Sequence, residues 1–256
     1  MNISETIRRG NITREFPGQY DVPALYLGSG DFGGCFDGTG FMNIPYQGRA
    51  HSNGVFMHAD YYHRGKYGLH YHLPVMQLKL SSPEKPKSGR QTLDLWDGRL
   101  TTESIYDGGR ISLCAGFSPE RRDVFGLEIN YEATGTLPRV RLCGLPEISV
   151  DYGTFLSGSL ELNIVGNTTD VYSAEYTASA GNARAVVSLR VAATGSAGVS
   201  FLPDGVTLTL GGNPGRGQIR LYIGVSALER AAEMNRQLDE SLADRLFRFA
   251  PFGRFA

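Results

Sequence analysis

From Val22 to Val225 the chain is a succession of short alternating or continuously apolar runs, each cut off by Gly, Pro, Asn or Asp. No other feature constrains the fold as tightly. Successive side chains on a strand point to opposite faces, so alternating runs bounded by turn residues read as half-buried strands. About sixteen strands are predicted on this pattern. They include Ala24–Leu27, Phe41–Ile44, Leu69–Leu80, Arg99–Tyr106, Val124–Glu132, Phe155–Val165, Ala183–Ala193 and Gln218–Val225. No helical pattern is interleaved with them, which argues against an α/β fold. The number exceeds an immunoglobulin-type domain of about 100 residues, and no fixed-period repeat points to a propeller. The expected fold is therefore mainly β: one large two-sheet antiparallel super-sandwich with a C-terminal linker helix.

Helical signals sit at the two ends. Ser4 to Arg9 reads as a short helical turn ended by Gly10. Near the C-terminus, Ser226-Ala227-Leu228-Glu229 has the form of a capping box, in which the serine accepts an amide and the glutamate reaches back. Ala231, Met234, Leu238, Leu242, Leu246 and Phe249 then recur at three- and four-residue spacing, one face of a helix. Arg245 and Arg248 fall in its last turns, where cations favour the dipole. This divides the chain into an arm over 1–21, a sandwich over 22–225, an amphipathic helix over 226–249 and a tail over 250–256. The apolar stripe and the aromatic tail predict a further contact, with a domain or a second copy, through Leu242–Phe255.

The densest local motif is Leu27 to Gly40, L-G-S-G-D-F-G-G-C-F-D-G-T-G. Gly28-Ser29-Gly30-Asp31-Phe32-Gly33 matches G-x-G-x-x-G. A dinucleotide site needs a helix after those glycines, because the pyrophosphate rests on its N-terminus. Gly34 to Pro45 instead contains three more glycines and a proline, so the stretch reads as a strand–turn–strand. A kinase loop would need a lysine on the next strand and an H-R-D motif, and neither is present. Gly28, Gly30 and Gly33 are expected to serve backbone geometry, with Asp31 the one side chain there that could face a ligand.

A net charge of −1 gives no basic field for nucleic acid or anionic lipid. No apolar run approaches the roughly 20 residues of a membrane span. Met1–Arg9 lacks the apolar core of a secretory leader, so a cytoplasmic location is expected unless a leader has been removed. Cys35, Cys114 and Cys143 form no C-x-x-C pair and are expected as buried free thiols.

Two stretches carry a resemblance. Leu27-Gly28-Ser29-Gly30-Asp31-Phe32-Gly33-Gly34 is similar to a G-N-G-x-x-G segment. Gln91-Thr92-Leu93-Asp94-Leu95-Trp96-Asp97-Gly98-Arg99-Leu100-Thr101-Thr102 resembles an L-D-L-x-x-G-x-L-T strand–turn–strand. Both are features of the N-terminal sandwich domain of bacterial glycoside hydrolases with an (α/α)6 catalytic barrel, families 65 and 95 and their relatives. Ser29 stands where those proteins have Asn. The resemblance implies a non-catalytic sandwich that shapes a carbohydrate site or supports a barrel, with no cofactor. Their catalytic carboxylates belong to the barrel, so the resemblance transfers no catalytic residue onto these 256 residues.

All five histidines fall between His51 and His72, among many aromatic residues. Aromatic faces pack on sugar C–H faces while charged and polar groups bond the hydroxyls. The carbohydrate-binding candidates are Asp60, Tyr61, Tyr62, His63, Arg64, Tyr67, His70, His72 and Trp96. Amphipathic edge tyrosines and ordinary hydrogen-bonded histidines would look the same. His70 and His72 lie two apart on one predicted strand. With His58 they could form a metal site, although the spacing matches no established motif. A mutarotase-like enzyme would need His58, His70 or His72 to meet Glu103 or Glu128. Asp94 and Asp97 flank the Trp96–Gly98 turn, where Asp caps backbone amides.

Overall fold

The computed structural model describes residues 2–16, 25–29, 32–42, 57–64, 70–81, 85–121, 123–143, 148–150, 154–156, 158–167, 171–180, 183–202, 205–210 and 215–243. For 57–64, 70–74, 148–150, 154–156, 158–167, 178–180 and 183–184 the description is of backbone alone. The strands are β1 Ile12–Phe16, β2 Leu25–Ser29, β3 Phe32–Phe36, β4 Met57–Arg64, β5 His70–Leu80 and β6 Ser88–Asp94. They continue as β7 Arg99–Tyr106, β8 Gly109–Phe117, β9 Val124–Ala133, β10 Val140–Cys143, β11 Ile148–Val150 and β12 Thr154–Leu156. The last six are β13 Gly158–Asn167, β14 Val171–Ala180, β15 Ala183–Gly195, β16 Gly198–Leu202, β17 Gly205–Thr209 and β18 Gly215–Ser226. Helix α1, Ile3–Arg8, precedes them; a 3-10 turn, Leu228–Arg230, and helix α2, Ala231–Ala243, come after.

One antiparallel sheet has nine strands in the order β1-β6-β7-β8-β9-β18-β15-β14-β13. A second has seven, β16-β17-β10-β5-β4-β3-β2, and β11–β12 stands apart as a hairpin. Burial alternates along the strands as the sequence predicts. On β7, Leu100, Thr102, Ser104 and Tyr106 are buried, while Glu103 and Ile105 are exposed. The inner faces of the two sheets form one core, in which Ile111, Ile129, Leu189 and Leu221 meet Leu27, Phe36, Met76 and Leu142. Two ring pairs stitch the layers, Phe36 stacked on Phe125 at 5.6 Å and Phe32 edge-on to Phe117 at 5.3 Å, while Phe117 tilts on Phe125 at 5.2 Å within the nine-stranded sheet. Such pairs add about 0.5–1.5 kcal/mol each beyond area burial.

The glycine motif is the β2–β3 hairpin, with Gly28 opposite Gly33. Its loop, including Gly30 and Asp31, lies outside the described residues. The next described strand after β3 is β4 of the same sheet, so the G-x-G-x-x-G spacing is a hairpin and not a phosphate cradle. The glycines make room for a ring: a Cβ at Gly33 would fall 2.1 Å from the Tyr26 hydroxyl. Asp37 to Gly40 then turns into the core. The Asp37 carboxylate accepts from the Thr39 amide at 2.8 Å and from its hydroxyl, and Gly40 N–H donates to Asp37 O at 3.0 Å. Gly40 has φ +80°, and a Cβ there would meet Thr102 Oγ1 at 2.7 Å.

Several expectations are corrected. Ile12–Phe16, placed in the N-terminal arm, is the edge strand of the nine-stranded sheet, paired with β6. Phe41 and Met42 are buried but lie in a bend, with 43–44 outside the described residues. The run Phe155–Val165 is divided between β12 and β13. The three free cysteines are half-buried. The capping box does not form: Ser226 is still in the β18 ladder, opposite Val186, and its buried hydroxyl has no partner among the described residues. The 3-10 turn is capped by Ala227 without a side-chain bond, and α2 begins at Ala231.

The helix stripe docks on the outer face of the nine-stranded sheet. Met234 and Leu238 are buried against Val124 and Tyr222, with Leu242 at the margin. Gly224 provides the seat, since a Cβ there would lie 2.3 Å from Met234 Sδ. Buried Arg190 donates through Nε and Nη2 to Asp239 at 2.6 and 3.3 Å, and Arg121 donates to Ser241 Oγ at 3.1 Å. Leu246 and Phe249 lie outside the described residues. Leu238→Ala should lower the unfolding free energy by about 2–5 kcal/mol, read from urea midpoints. Arg236→Ala, which removes exposed pairs with Glu233 and Glu240, should leave the midpoint where it is.

Candidate functional site

The 51–72 segment contributes two neighbouring strands of the seven-stranded sheet. Asp60, Tyr61, Tyr62, His63 and Arg64 are on β4, and His70 and His72 on β5. Their backbones pair His63 with Tyr71 and Arg64 with His70, with register shifts at Met57/His58 and Ala59/His63. The side chains of these residues, of His58 and of the proposed His58–His70–His72 metal set lie outside the described part, as does Tyr67 altogether. Among the described residues no three His, Cys, Asp or Glu side chains cluster as metal ligands.

Trp96 is elsewhere, in the β6–β7 turn of the nine-stranded sheet. Asp94 Oδ1 accepts from the amides of Trp96 at 2.9 Å and Asp97 at 3.2 Å, the backbone-capping role expected of it. Arg8 of α1 pairs with Asp94 and Asp97 at 3.5 and 3.4 Å, and Leu95 N–H donates to Asn11 Oδ1 at 2.9 Å. This turn is therefore tied to the N-terminal helix. Glu103 and Glu128 sit on the outer face of the nine-stranded sheet, opposite the core. The seven-stranded sheet that carries His70 and His72 packs on the other side. Both glutamates thus face away from the core, whereas the backbones of His70 and His72 belong to the other sheet.

The outer face of β8, β9, β18 and β15 holds an ordered polar array that no sequence motif announced. Register puts Ser112, Asn130, Gln218 and Thr194 in one row across the strands. A parallel row holds Arg110, Glu132 and Arg216, and another Cys114, Glu128 and Arg220. The centre is a closed ring. Arg220 Nε donates to Gln218 Oε1 at 2.9 Å, and Gln218 Nε2 donates to Asn130 Oδ1 at 3.0 Å. Asn130 Nδ2 donates to Glu128 Oε1 at 2.9 Å, and Glu128 Oε2 lies 3.9 Å from Arg220 Nε. Beside it, Arg110 and Glu132 pair at 3.3 Å. Ser112, Asn130, Gln218 and Thr194, with Arg110, Glu132 and Arg216, line a groove of about 390 Å³, and Glu128 and Arg220 stand one row outside it. Its one aromatic residue is Tyr131, a buried ring held by a 3.2 Å bond to Ser196. A Cβ at Gly217 would fall 2.6 Å from the Tyr131 hydroxyl, so glycine leaves that ring its place under the groove. The signal was present as E-x-N-x-E at 128–132 and R-x-Q-x-R at 216–220, polar positions recurring every second residue.

Cys114 stands opposite Glu128 on this face. Burial pushes its thiol up to about 12, with Arg99 opposing and Glu128 adding to the shift. Burial likewise raises the Tyr222 hydroxyl under α2, partly offset by the charge and hydrogen bond of Arg220.

No family model matches the chain, and no curated protein matches it in sequence. In structure it is similar to a chain described as a candidate kojibiose phosphorylase from the human microbiome, with a TM-score of 0.57 and 11% identity. The match covers 90% of this chain and 35% of that one, so this chain spans about a third of the length of the matched protein. At that identity the likeness establishes a shared fold: a β-sandwich that in the larger protein is one part among others.

The thiol shift has a readable consequence. A Cys114 thiol at about 12, against an ordinary 9.0, is protonated at pH 8 in the folded chain. Alkylation by iodoacetamide at pH 8 should be at least about tenfold slower at Cys114 in buffer than in urea, because the thiolate is the nucleophile. The same shift stabilises the fold fully below about pH 9, and that contribution fades as pH rises towards 12.

Proposed function

We propose that this chain is a non-catalytic β-sandwich module of a glycoside-processing enzyme, supporting an (α/α)6 barrel and shaping its carbohydrate site. The observation that carries the reading is the match that takes up nine-tenths of this chain and about a third of a candidate disaccharide phosphorylase. The L-G-S-G-D-F-G-G hairpin and the L-D-L-W-D-G-R-L-T strand–turn–strand support it from the sequence side. The placement of the carboxylates agrees. Glu128 and Glu132 are engaged with Arg220 and Arg110 on a sheet face, and Asp94 and Asp97 brace a turn. Glycoside cleavage needs two carboxyls facing each other across a bond, about 5–9 Å apart. The barrel or a second copy would contact the module through Leu242–Phe255, where the stripe that buries Met234 and Leu238 continues in the sequence.

The purified chain, given kojibiose with inorganic phosphate or aryl glucosides, should release neither sugar phosphate nor phenol. Aldose anomer exchange followed by NMR should run at the rate of buffer alone. Turnover by this chain that disappears in His70→Ala would overturn the reading in favour of a self-contained enzyme.

A further inference from the structure

The groove on the outer face of the nine-stranded sheet has the chemistry of a binding site rather than of an ordinary solvated surface. We propose that the ring of Glu128, Asn130, Gln218 and Arg220, with the groove beside it, binds a neutral oligosaccharide. The proposal deepens the reading of the chain as a carbohydrate-enzyme module and rests on it for the ligand class.

The ring is organised before any ligand arrives. Each member holds the next, from Arg220 to Gln218 to Asn130 to Glu128, and the carboxylate closes back on the guanidinium. Side chains fixed by one another lose little further freedom on binding, which is the main cost polar surface residues impose on a ligand. The ring also keeps spare capacity. The amide nitrogens of Asn130 and Gln218 each have a second hydrogen, and their carbonyls and the Glu128 carboxylate have further lone pairs. Donors and acceptors therefore alternate over a small flat area. Neighbouring hydroxyls, each both donor and acceptor, match that alternation.

Charge argues for a neutral ligand. Glu128 is paired with Arg220 and Glu132 with Arg110, and the middle row, Ser112, Asn130, Gln218 and Thr194, is uncharged; Arg216, opposite Glu132 in the neighbouring row, adds one positive charge to the lining, which makes phosphate the competitor to test. A groove of about 390 Å³ falls within the 300–1,000 Å³ typical of small-molecule sites. Tyr131 is the one aromatic residue in the lining and its ring is buried, so recognition falls to the polar groups above it. A protein partner would instead need an apolar centre with charges at the rim, and this lining offers none.

The test is titration of the full chain with maltoheptaose and with kojibiose, followed by ligand-observed NMR and calorimetry. Saturable binding to at least one is expected, weakened about tenfold in the Asn130→Ala/Gln218→Ala double variant, the loss of two hydrogen bonds at about 1 kcal/mol each or less. Both side chains lie on the outer face, and an unchanged thermal midpoint will show that the variant is folded. Inorganic phosphate should not compete. The proposal is overturned if wild type binds neither glycan, if the folded double variant binds as well as wild type, or if phosphate displaces the sugar. Binding without turnover leaves the non-catalytic reading intact, and turnover without groove binding defeats that reading and this proposal separately.

Discussion

Inside the sandwich, where water does not reach, Gln91 of β6 donates its Nε2 to the carbonyl of Asp37 at 2.6 Å. Gln91 is 0% and Asp37 1% exposed. Gln91 belongs to the nine-stranded sheet, and Asp37 directly follows β3 of the other, so this bond is a polar pin between the two layers, as is the bond from the Tyr176 hydroxyl of β14 to the Leu202 carbonyl of β16 at 3.2 Å. The net contribution of the Gln91 bond is about 1 kcal/mol, yet leaving either group unpaired in the core would cost about 1–3 kcal/mol. That asymmetry makes it a register device: an offset packing of the sheets would leave Gln91 and the Asp37 carbonyl buried without each other. The same turn is held by Thr39 on the Asp37 carboxylate and by Gly40 against Thr102. Gln91 Nε2 also reaches Thr102 Oγ1 at 3.3 Å, which extends the pin along the sheet.

The pin has a cost at the sheet edge. Arg14 Nη1, Gln91 Oε1 and Ser104 Oγ are buried there with no hydrogen-bond partner among the described residues. Arg14 stands directly opposite Gln91 on β1, and burial pulls its guanidinium below the usual value. An edge strand that carries an inward charge is a poor template for further pairing. The sheet therefore ends at β1 through a residue that disfavours both deeper burial and a tenth strand.

Much of the strand pattern was legible because one face of each strand is apolar. Arg99–Tyr106 alternates so cleanly that its predicted and observed limits coincide. β1 was not legible, because Ile12-Thr13-Arg14-Glu15-Phe16 buries an arginine where the pattern calls for an apolar residue. The capping box failed for a different reason. Ser226 and Glu229 have the right spacing, but the ladder between β18 and β15 extends through Ser226 and takes its backbone first. Local helix signals lost to a sheet that was already longer than the alternation alone revealed. The polar ring was hidden by topology: Asn130 and Gln218 are 88 residues apart, and only the pairing of β9 with β18 makes them neighbours. The histidine-rich stretch drew attention because its residue types are concentrated in sequence, whereas the array on the nine-stranded sheet is concentrated only in space.

The helix and the ring divide one sheet face between them, and small residues decide where the line falls. Towards Val124, the outer positions of β9 and β18 are Val124, Gly126, Tyr222 and Gly224, and there Met234 and Leu238 can approach the backbone. Two positions further along the same strands, Glu128 and Arg220 replace them, and apolar helix packing stops. Leu242 stands at that boundary, at the rim of a groove of about 330 Å³ that also touches Arg220 and Gln218. Arg220 thus serves both halves, bonding Gln218 in the ring and lowering the cost of the buried Tyr222 hydroxyl beneath the helix. A change at Arg220 should be felt on both sides of the line, in the seating of α2 and in the geometry of the ring. The C-terminal helix and the polar groove therefore form one continuous structure, and Ala243, the last described residue of α2, lies beside the surface we assign to carbohydrate.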